Sequence, residues 1–169
     1  PQFKIPEDSN IQWYNATDYI SNEPVRKSPQ YNLVYDGWKR NEMRTSQSLS
    51  GFVLGKGFGR DKGDKVSYEI NILPGKEKGM IGFRYNTPKG KTSTFQVKGI
   101  TESRLELQGT GEYSIVSIPY SCKEPGKYTL ELTSEGTYST DLDGFFIGSE
   151  EDIKQIKILP RKLSFIPEI

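Results

Sequence analysis

The sequence contains no histidine and a single cysteine, Cys122, and these two shortages exclude several kinds of site. Without histidine, a serine or cysteine nucleophile lacks its usual general base, and the commonest zinc ligand is missing. One cysteine cannot form an internal disulfide, and its position before the turn in "KEPG" favours an inert, partly buried thiol. We therefore expect neither a zinc site nor histidine-dependent nucleophilic catalysis.

Strong net charge and long apolar stretches are also lacking. The 169 residues carry 23 Lys and Arg against 22 Asp and Glu, a net charge of +1, whereas nucleic-acid-binding domains usually carry a marked basic excess. No apolar run approaches the length that crosses a membrane. The chain opens on Pro1, and nothing near its start has the features of a signal peptide. We expect neither nucleic acid nor a membrane as a partner.

Alternation of apolar and polar residues dominates what is present. In "KVSYEINIL", Val66, Tyr68, Ile70 and Ile72 would share one face, and "KYTLELT" repeats the pattern. Similar runs recur along the chain, separated by Gly- and Pro-rich turns such as "LPGKEKG" and "TPKGK". This spacing predicts an all-β fold, an antiparallel two-sheet β-sandwich. The residues predicted to lie inside are Tyr68, Ile70, Phe83, Phe95, Leu107, Leu130 and Phe145.

The other segments fit around this sandwich. "SEEDIKQI" favours a short helix with Ser149 as N-cap, although it could also lead directly into a last strand, "IKQIKIL". "GKGFGRDKG" has the glycines of a phosphate loop but lacks the Gly-Lys-Ser/Thr ending and precedes a strand, so a glycine-rich bend is expected. Residues 1–160 are predicted to form one domain, and the Pro-bearing 161–169 a linker or tail.

Two carboxylates precede the strand in "STDLDGFFI". In a regular strand, Asp141 and Asp143 would share a face with Phe145 and Ile147, which would carry a charge toward the interior. Their spacing is permissive for a glycosidase pair. However, both acids would approach from one side and could not flank a glycosidic bond, so a structural or binding role is favoured.

Aromatic residues near turns are the most promising candidates for binding. Trp38 in "YDGWKRN" follows an Asp-Gly and precedes Arg40, a context that suits stacking on a sugar ring beside hydrogen-bonding groups. Tyr35, Tyr85 and Tyr138 are weaker candidates, because packing in the core or on a sheet face is the default for each of them.

The order of several motifs resembles a known family. "WYNATDY", "GMIGFRYNT", "PGKYTLELTSEG" and "STDLDGFFI" are similar to galactose-binding-like jelly rolls, and more narrowly to carbohydrate-binding modules of families six and thirty-five. The resemblance implies that Asp141 hydrogen-bonds a sugar and that Asp143 helps to hold a structural calcium. The first-strand glutamates of that calcium site fall on Asn15 and Thr17 here, with Asp18 as the nearest acid. Asp143 could therefore accept backbone N–H groups instead.

These observations lead to one main hypothesis and two alternatives. The first is a non-catalytic carbohydrate-binding module that binds an oligo- or polysaccharide as accessory to a glycan-degrading enzyme, in an extracellular, periplasmic or cell-surface location. Trp38 would stack on the sugar ring, Asp141 and Arg40 would fix its hydroxyls or a charged substituent, and the weaker candidates for the opposing wall are Tyr35, Tyr85 and Tyr138. Arg40 with nearby lysines would favour acidic or sulfated glycans. The second is a β-sandwich spacer without a sugar site that packs against a catalytic domain. A small hydrolase ranks last, since no nucleophile–base set is visible.

Overall fold

The computed structural model describes residues 2–4, 10–25 and 41–159, and within these ranges nearly all of the regular secondary structure is β-strand. The strands are β1 Gln2–Lys4, β2 Gln12–Asn15, β3 Ser21–Glu23, β4 Glu42–Arg44, β5 Phe52–Leu54, β6 Lys65–Ile72, β7 Lys78–Asn86, β8 Thr92–Lys98, β9 Ser103–Gln108, β10 Ser114–Ser121, β11 Gly126–Ser134, β12 Asp141–Gly148 and β13 Lys157–Leu159. One helix, α1, spans Glu150–Lys154.

Two antiparallel sheets form the sandwich. The six-stranded sheet has the order β10-β7-β12-β5-β4, with β2 also paired to β12, and the five-stranded sheet has the order β3-β6-β11-β8-β9. A separate ribbon pairs β1 with β13. The predicted all-β, two-sheet antiparallel sandwich is confirmed.

The core lies between the two sheets and is built by the alternation seen in the sequence. All seven residues predicted to lie inside are at most 1% exposed. Phe145 is central: its ring stacks on Tyr14 at 5.2 Å and meets the edge of Tyr68 at 5.1 Å. Burial of each large apolar side chain contributes about 1.5–3 kcal/mol to folding, so this core supplies the main stabilisation of the sandwich.

β12 contains a bulge at Asp143. Leu142 lies opposite Tyr85 of β7, but the next paired residue, opposite Arg84, is Gly144. Asp143 is therefore the extra residue that interrupts the register, as in a β-bulge.

The bulge changes which residues of β12 face the core. Leu142, Phe145 and Ile147 belong to the core cluster, and Asp143 does not. The expectation that Asp141 and Asp143 share a face with Phe145 and Ile147 is wrong, because it assumed an uninterrupted alternation along the strand.

The helix and the glycine-rich bend are confirmed. Ser149 caps α1 by accepting a hydrogen bond from the Asp152 amide at 3.0 Å. The helix lies against β7, where a Cβ added at Gly82 would be 3.1 Å from Ile153. "GKGFGRDKG" forms turns between β5 and β6. No helix within the described ranges is both long and apolar enough to cross a membrane. The proposed boundary at residue 160 lies outside the described residues and stays a prediction.

Candidate functional site

A cleft of about 240 Å³ opens at one end of the sandwich, where β12 begins. Its walls come from the end of β7, the β7–β8 turn, the β9–β10 turn and the approach to β12. The lining residues are Asn86, Pro88, Gly111, Ser139, Thr140 and Asp141. We call this the Asp141 cleft.

Hydrogen bonds fix the loops that form the cleft. The buried hydroxyls of Thr87 and Thr140 lie 2.8 Å apart, and Thr140 also donates to the Asn86 carbonyl at 3.2 Å. The Gly111 amide donates to the Thr87 carbonyl at 3.2 Å. The β9–β10 turn and the approach to β12 are thus both tied to the end of β7, and the cleft is formed before any ligand binds.

Asp141 is the ionisable residue of this cleft. Its side chain is half-buried, and no hydrogen-bond or salt-bridge partner for the carboxylate is found in the part of the chain that the structure describes. Burial accordingly raises the pKa of Asp141 above its ordinary value. Because this carboxylate lines the cleft and has no partner among the described residues, it is available to accept hydrogen bonds from a ligand.

The end of the "YDGWKRN" segment lies beside Asp141. The Gly55 amide donates to the Asn41 carbonyl at 2.7 Å, and a Cβ added at Gly55 would be 2.6 Å from an Asp141 carboxylate oxygen. Asn41 is 2% exposed. Trp38 precedes Asn41 by three residues, so covalent geometry keeps the two Cα atoms within about 11 Å.

Three of the predicted site residues belong to the "YDGWKRN" stretch of the sequence. Trp38, Arg40 and Tyr35 lie outside the described residues, and their roles stay predictions.

The two remaining tyrosines differ in position. Tyr85 is 2% exposed on the core face of β7, and its hydroxyl donates to the Gln108 carbonyl at 2.5 Å. A ring in this position cannot form the wall of the Asp141 cleft. Tyr138 is 37% exposed and directly precedes the cleft residue Ser139; the Lys91 ammonium lies 5.4 Å from its ring centre.

Tyr113 is a candidate that the sequence reasoning missed. Its half-buried ring lies 4.5 Å from the Arg84 guanidinium carbon. Burial is the main cause that raises the pKa of Tyr113, and the nearby carboxylates of Asp141 and Asp143 raise it further. The hydroxyl therefore stays protonated and able to donate. In the sequence, Tyr113 lies between the turn residues "GTGE" and the start of β10, and an aromatic at that position is the signal that could have identified it.

Asp143, by contrast, already has partners. It is fully buried, and an Arg84 guanidinium nitrogen lies 2.5 Å from its carboxylate. The Leu49 amide donates to both carboxylate oxygens at 3.2 Å, and the same Arg84 nitrogen donates to the Gln47 carbonyl at 2.9 Å. Burial raises the pKa of Asp143, while the Arg84 and Leu49 hydrogen bonds oppose that rise.

The described residues do not fit a calcium site at Asp143. No group of three or more His, Cys, Asp or Glu side chains that could hold a metal ion occurs among them. The Arg84 guanidinium occupies the position that a cation would take, and a cation there would be repelled by it. Accepting a backbone N–H, the alternative left open by the sequence, is what Asp143 does with Leu49.

Comparison with known proteins shows which solved structures share this two-sheet β-sandwich fold. No family model matches the sequence, and no curated protein matches it. Solved structures do match. The C-terminal family 6 module of LamC, a marine laminarinase from Zobellia galactanivorans, is 18% identical over 83% of this chain and all of that chain, with a TM-score of 0.61.

Two further solved structures show the same fold. A family 35 carbohydrate-binding module from Clostridium thermocellum is 12% identical over 83% of this chain and 99% of that chain, with a TM-score of 0.59. A cycloisomaltooligosaccharide glucanotransferase from Paenibacillus sp. is 17% identical over 81% of this chain, with a TM-score of 0.52, and the match spans 18% of that enzyme. The suspected resemblance to carbohydrate-binding β-sandwiches is confirmed at the level of the fold.

Proposed function

We propose that this protein is a non-catalytic carbohydrate-binding module and that the Asp141 cleft is its sugar site. The observation that carries the proposal is Asp141 itself: a half-buried carboxylate without a partner in the described residues, lining a preformed cleft. A sugar hydroxyl that donates to this carboxylate would offset the cost of its burial, and a buried acceptor of this kind gives orientation and specificity.

The neighbouring side chains supply complementary chemistry. Tyr113 offers a ring and a protonated hydroxyl near Asp141. Trp38 is proposed to stack on the apolar face of the sugar ring, and Arg40 and Tyr35 are proposed to contribute further contacts. Tyr138 and Lys91 would form the rim. Cations at this rim would favour acidic or sulfated substituents pointing away from Asp141, and added salt should then weaken binding.

The affinity of such a site is expected to be modest. Stacking and a few hydrogen bonds must first overcome the cost of removing water from polar groups. Dissociation constants on the order of 10 µM to 1 mM are expected, equivalent to about 4–7 kcal/mol.

The proposed setting is a larger glycan-active protein. The chain matches a minor part of the Paenibacillus glucanotransferase and also 18% of BtGH115A, a 4-O-methyl-α-glucuronidase with specificity for decorated arabinogalactans. This supports an accessory role beside a catalytic domain and an extracellular, periplasmic or cell-surface location.

A glycan array followed by titration calorimetry tests the proposal. The parent should bind at least one glycan, and Asp141→Asn should lower that affinity at least tenfold, since it removes a charged acceptor. Glu69→Gln, on the outer face of the five-stranded sheet, removes a carboxylate of β6 and should bind like the parent. If Asp141→Asn also binds like the parent, the site lies elsewhere. If the parent binds no glycan, the spacer hypothesis replaces the proposal.

A further inference from the structure

A second cavity, of about 430 Å³, lies along the open side of the sandwich. It runs between β9, the edge strand of the five-stranded sheet, and β10, the edge strand of the six-stranded sheet. Arg104, Glu106 and Gln108 of β9 form one side, and Val116 and Ile118 of β10 form the other. We call this the edge groove.

The edge groove adjoins the Asp141 cleft at two points of the chain. Tyr85 lines the groove and the next residue, Asn86, lines the cleft; Thr110 lines the groove and the next residue, Gly111, lines the cleft. Neighbouring Cα atoms are about 3.8 Å apart. The two cavities therefore lie close together at the end of β7 and at the β9–β10 turn.

The polar side of the groove is held in a fixed arrangement. The Arg104 guanidinium lies 3.0 Å from Glu106 and 3.1 Å from Glu135, and Gln96 donates to Glu135 at 2.5 Å. The hydrogen bond from Gln96, together with Arg104, lowers the pKa of Glu135, which keeps that carboxylate charged. Groups that are already ordered lose less conformational entropy when a ligand binds.

We propose that the edge groove binds further units of the same glycan chain that enters the Asp141 cleft, so that the ligand is an oligo- or polysaccharide several sugars long and not a single terminal sugar. This inference rests on the proposed sugar site. The groove is lined by apolar side chains on one side and by fixed donors and acceptors on the other, which matches the apolar faces and hydroxyls of a sugar chain.

Titration calorimetry with a length series of the best glycan, from one sugar unit to six, tests this inference. The parent should bind the longest oligomer at least tenfold more tightly than the disaccharide. Gln108→Ala and Arg104→Ala should remove most of that gain and leave the affinity for the shortest bound oligomer unchanged. Asn71→Ala, an exposed carboxamide on β6 of the same sheet, is the matched control and should keep the gain.

Two results would overturn the proposal that the edge groove binds further sugar units. Either the parent gains no affinity beyond the disaccharide, or both β9 variants keep the full gain, in which case Arg104 and its carboxylates are a surface ion-pair network only. Absence of binding to every glycan is a different outcome, because it removes the proposed sugar site as well.

Discussion

Arg84 and Asp143 form a buried ion pair on the outer face of the six-stranded sheet, with 2.5 Å between guanidinium nitrogen and carboxylate oxygen. The side chains of the two residues are 6% and 0% exposed. Arg84 alternates along β7 with the core residues Phe83 and Tyr85, so it points away from the core. The bulge at Asp143 brings the carboxylate to the same side. The pair also holds the 45–51 loop through Gln47 and Leu49.

Removal of one partner of this pair should be strongly destabilising. Arg84→Met leaves the Asp143 carboxylate buried without its cation, and we expect a loss of about 3–5 kcal/mol in the free energy of unfolding. Arg84→Met combined with Asp143→Leu should be more stable than Arg84→Met alone, because no charge is left buried. Urea denaturation measures both. If Arg84→Met costs less than about 1 kcal/mol, the pair does not exist in solution.

Removal of divalent cations should leave stability unchanged, because Arg84 already neutralises Asp143. The melting temperature should be the same with excess EDTA as with added calcium. A ligand shifts the unfolding transition only when it binds the folded state, and no such ligand is expected here. A fall in melting temperature with EDTA would show that a bound cation stabilises the fold. Arg84→Met in the same assay would then show whether that cation uses Asp143.

The contribution of Asp141 to the stability of the folded protein should change with pH. Burial raises the pKa of folded Asp141 above its ordinary value of 3.8, so the folded state favours the protonated form. This contribution to stability is present below the unfolded pKa and is lost as pH rises through the folded pKa. Asp141→Asn should therefore melt higher than the parent at pH 7. The difference should disappear near pH 3, and a difference that grows toward acid would contradict the assignment.

Gly144 should tolerate substitution poorly. Its φ is +157°, and an added Cβ would lie 2.2 Å from the Tyr14 carbonyl oxygen of β2. Gly144→Ala should separate β2 from β12 and cost at least about 3 kcal/mol, which is the upper end of the usual range for single substitutions. Gly75→Ala is the control: φ is +84° there, but nothing lies within 4 Å of the added Cβ. A loss of about 1 kcal/mol is expected at Gly75, and equal losses at both sites would show that β2 moves freely.

The sequence predicted the core well because alternation is a local property. Val66, Tyr68, Ile70 and Ile72 all face inward, as the period of two requires. The prediction failed at Asp143 because a bulge depends on pairing between β12 and β7. The paired residues of these strands are 55 to 68 positions apart in the chain, so the bulge leaves no local signal. The ion pair with Arg84 was missed for the same reason: its partners are 59 residues apart.

The candidate site was predicted less completely than the fold. The resemblance to carbohydrate-binding modules implied a sugar-binding role for Asp141, and in the structure Asp141 lines a cleft. Tyr85 lies close to a turn in the sequence. In the structure it lies near the end of β7, and its ring packs in the core. Tyr113 was missed because its environment depends on residues distant in sequence. Arg84 of β7 and the carboxylates of β12 come close to it only when the sheet has assembled.

Nuclear magnetic resonance titration of the parent with its best glycan tests the central claim most directly, because each backbone amide reports its own environment. The account predicts that the largest chemical-shift changes occur at Asn86, Gly111, Ser139 and Asp141, the residues that line the cleft, and that Ser67, Glu69 and Asn71 on the outer face of β6 stay unchanged. Saturable shifts confined to another surface, with the cleft amides unmoved, would contradict the assignment of this cleft as the sugar site.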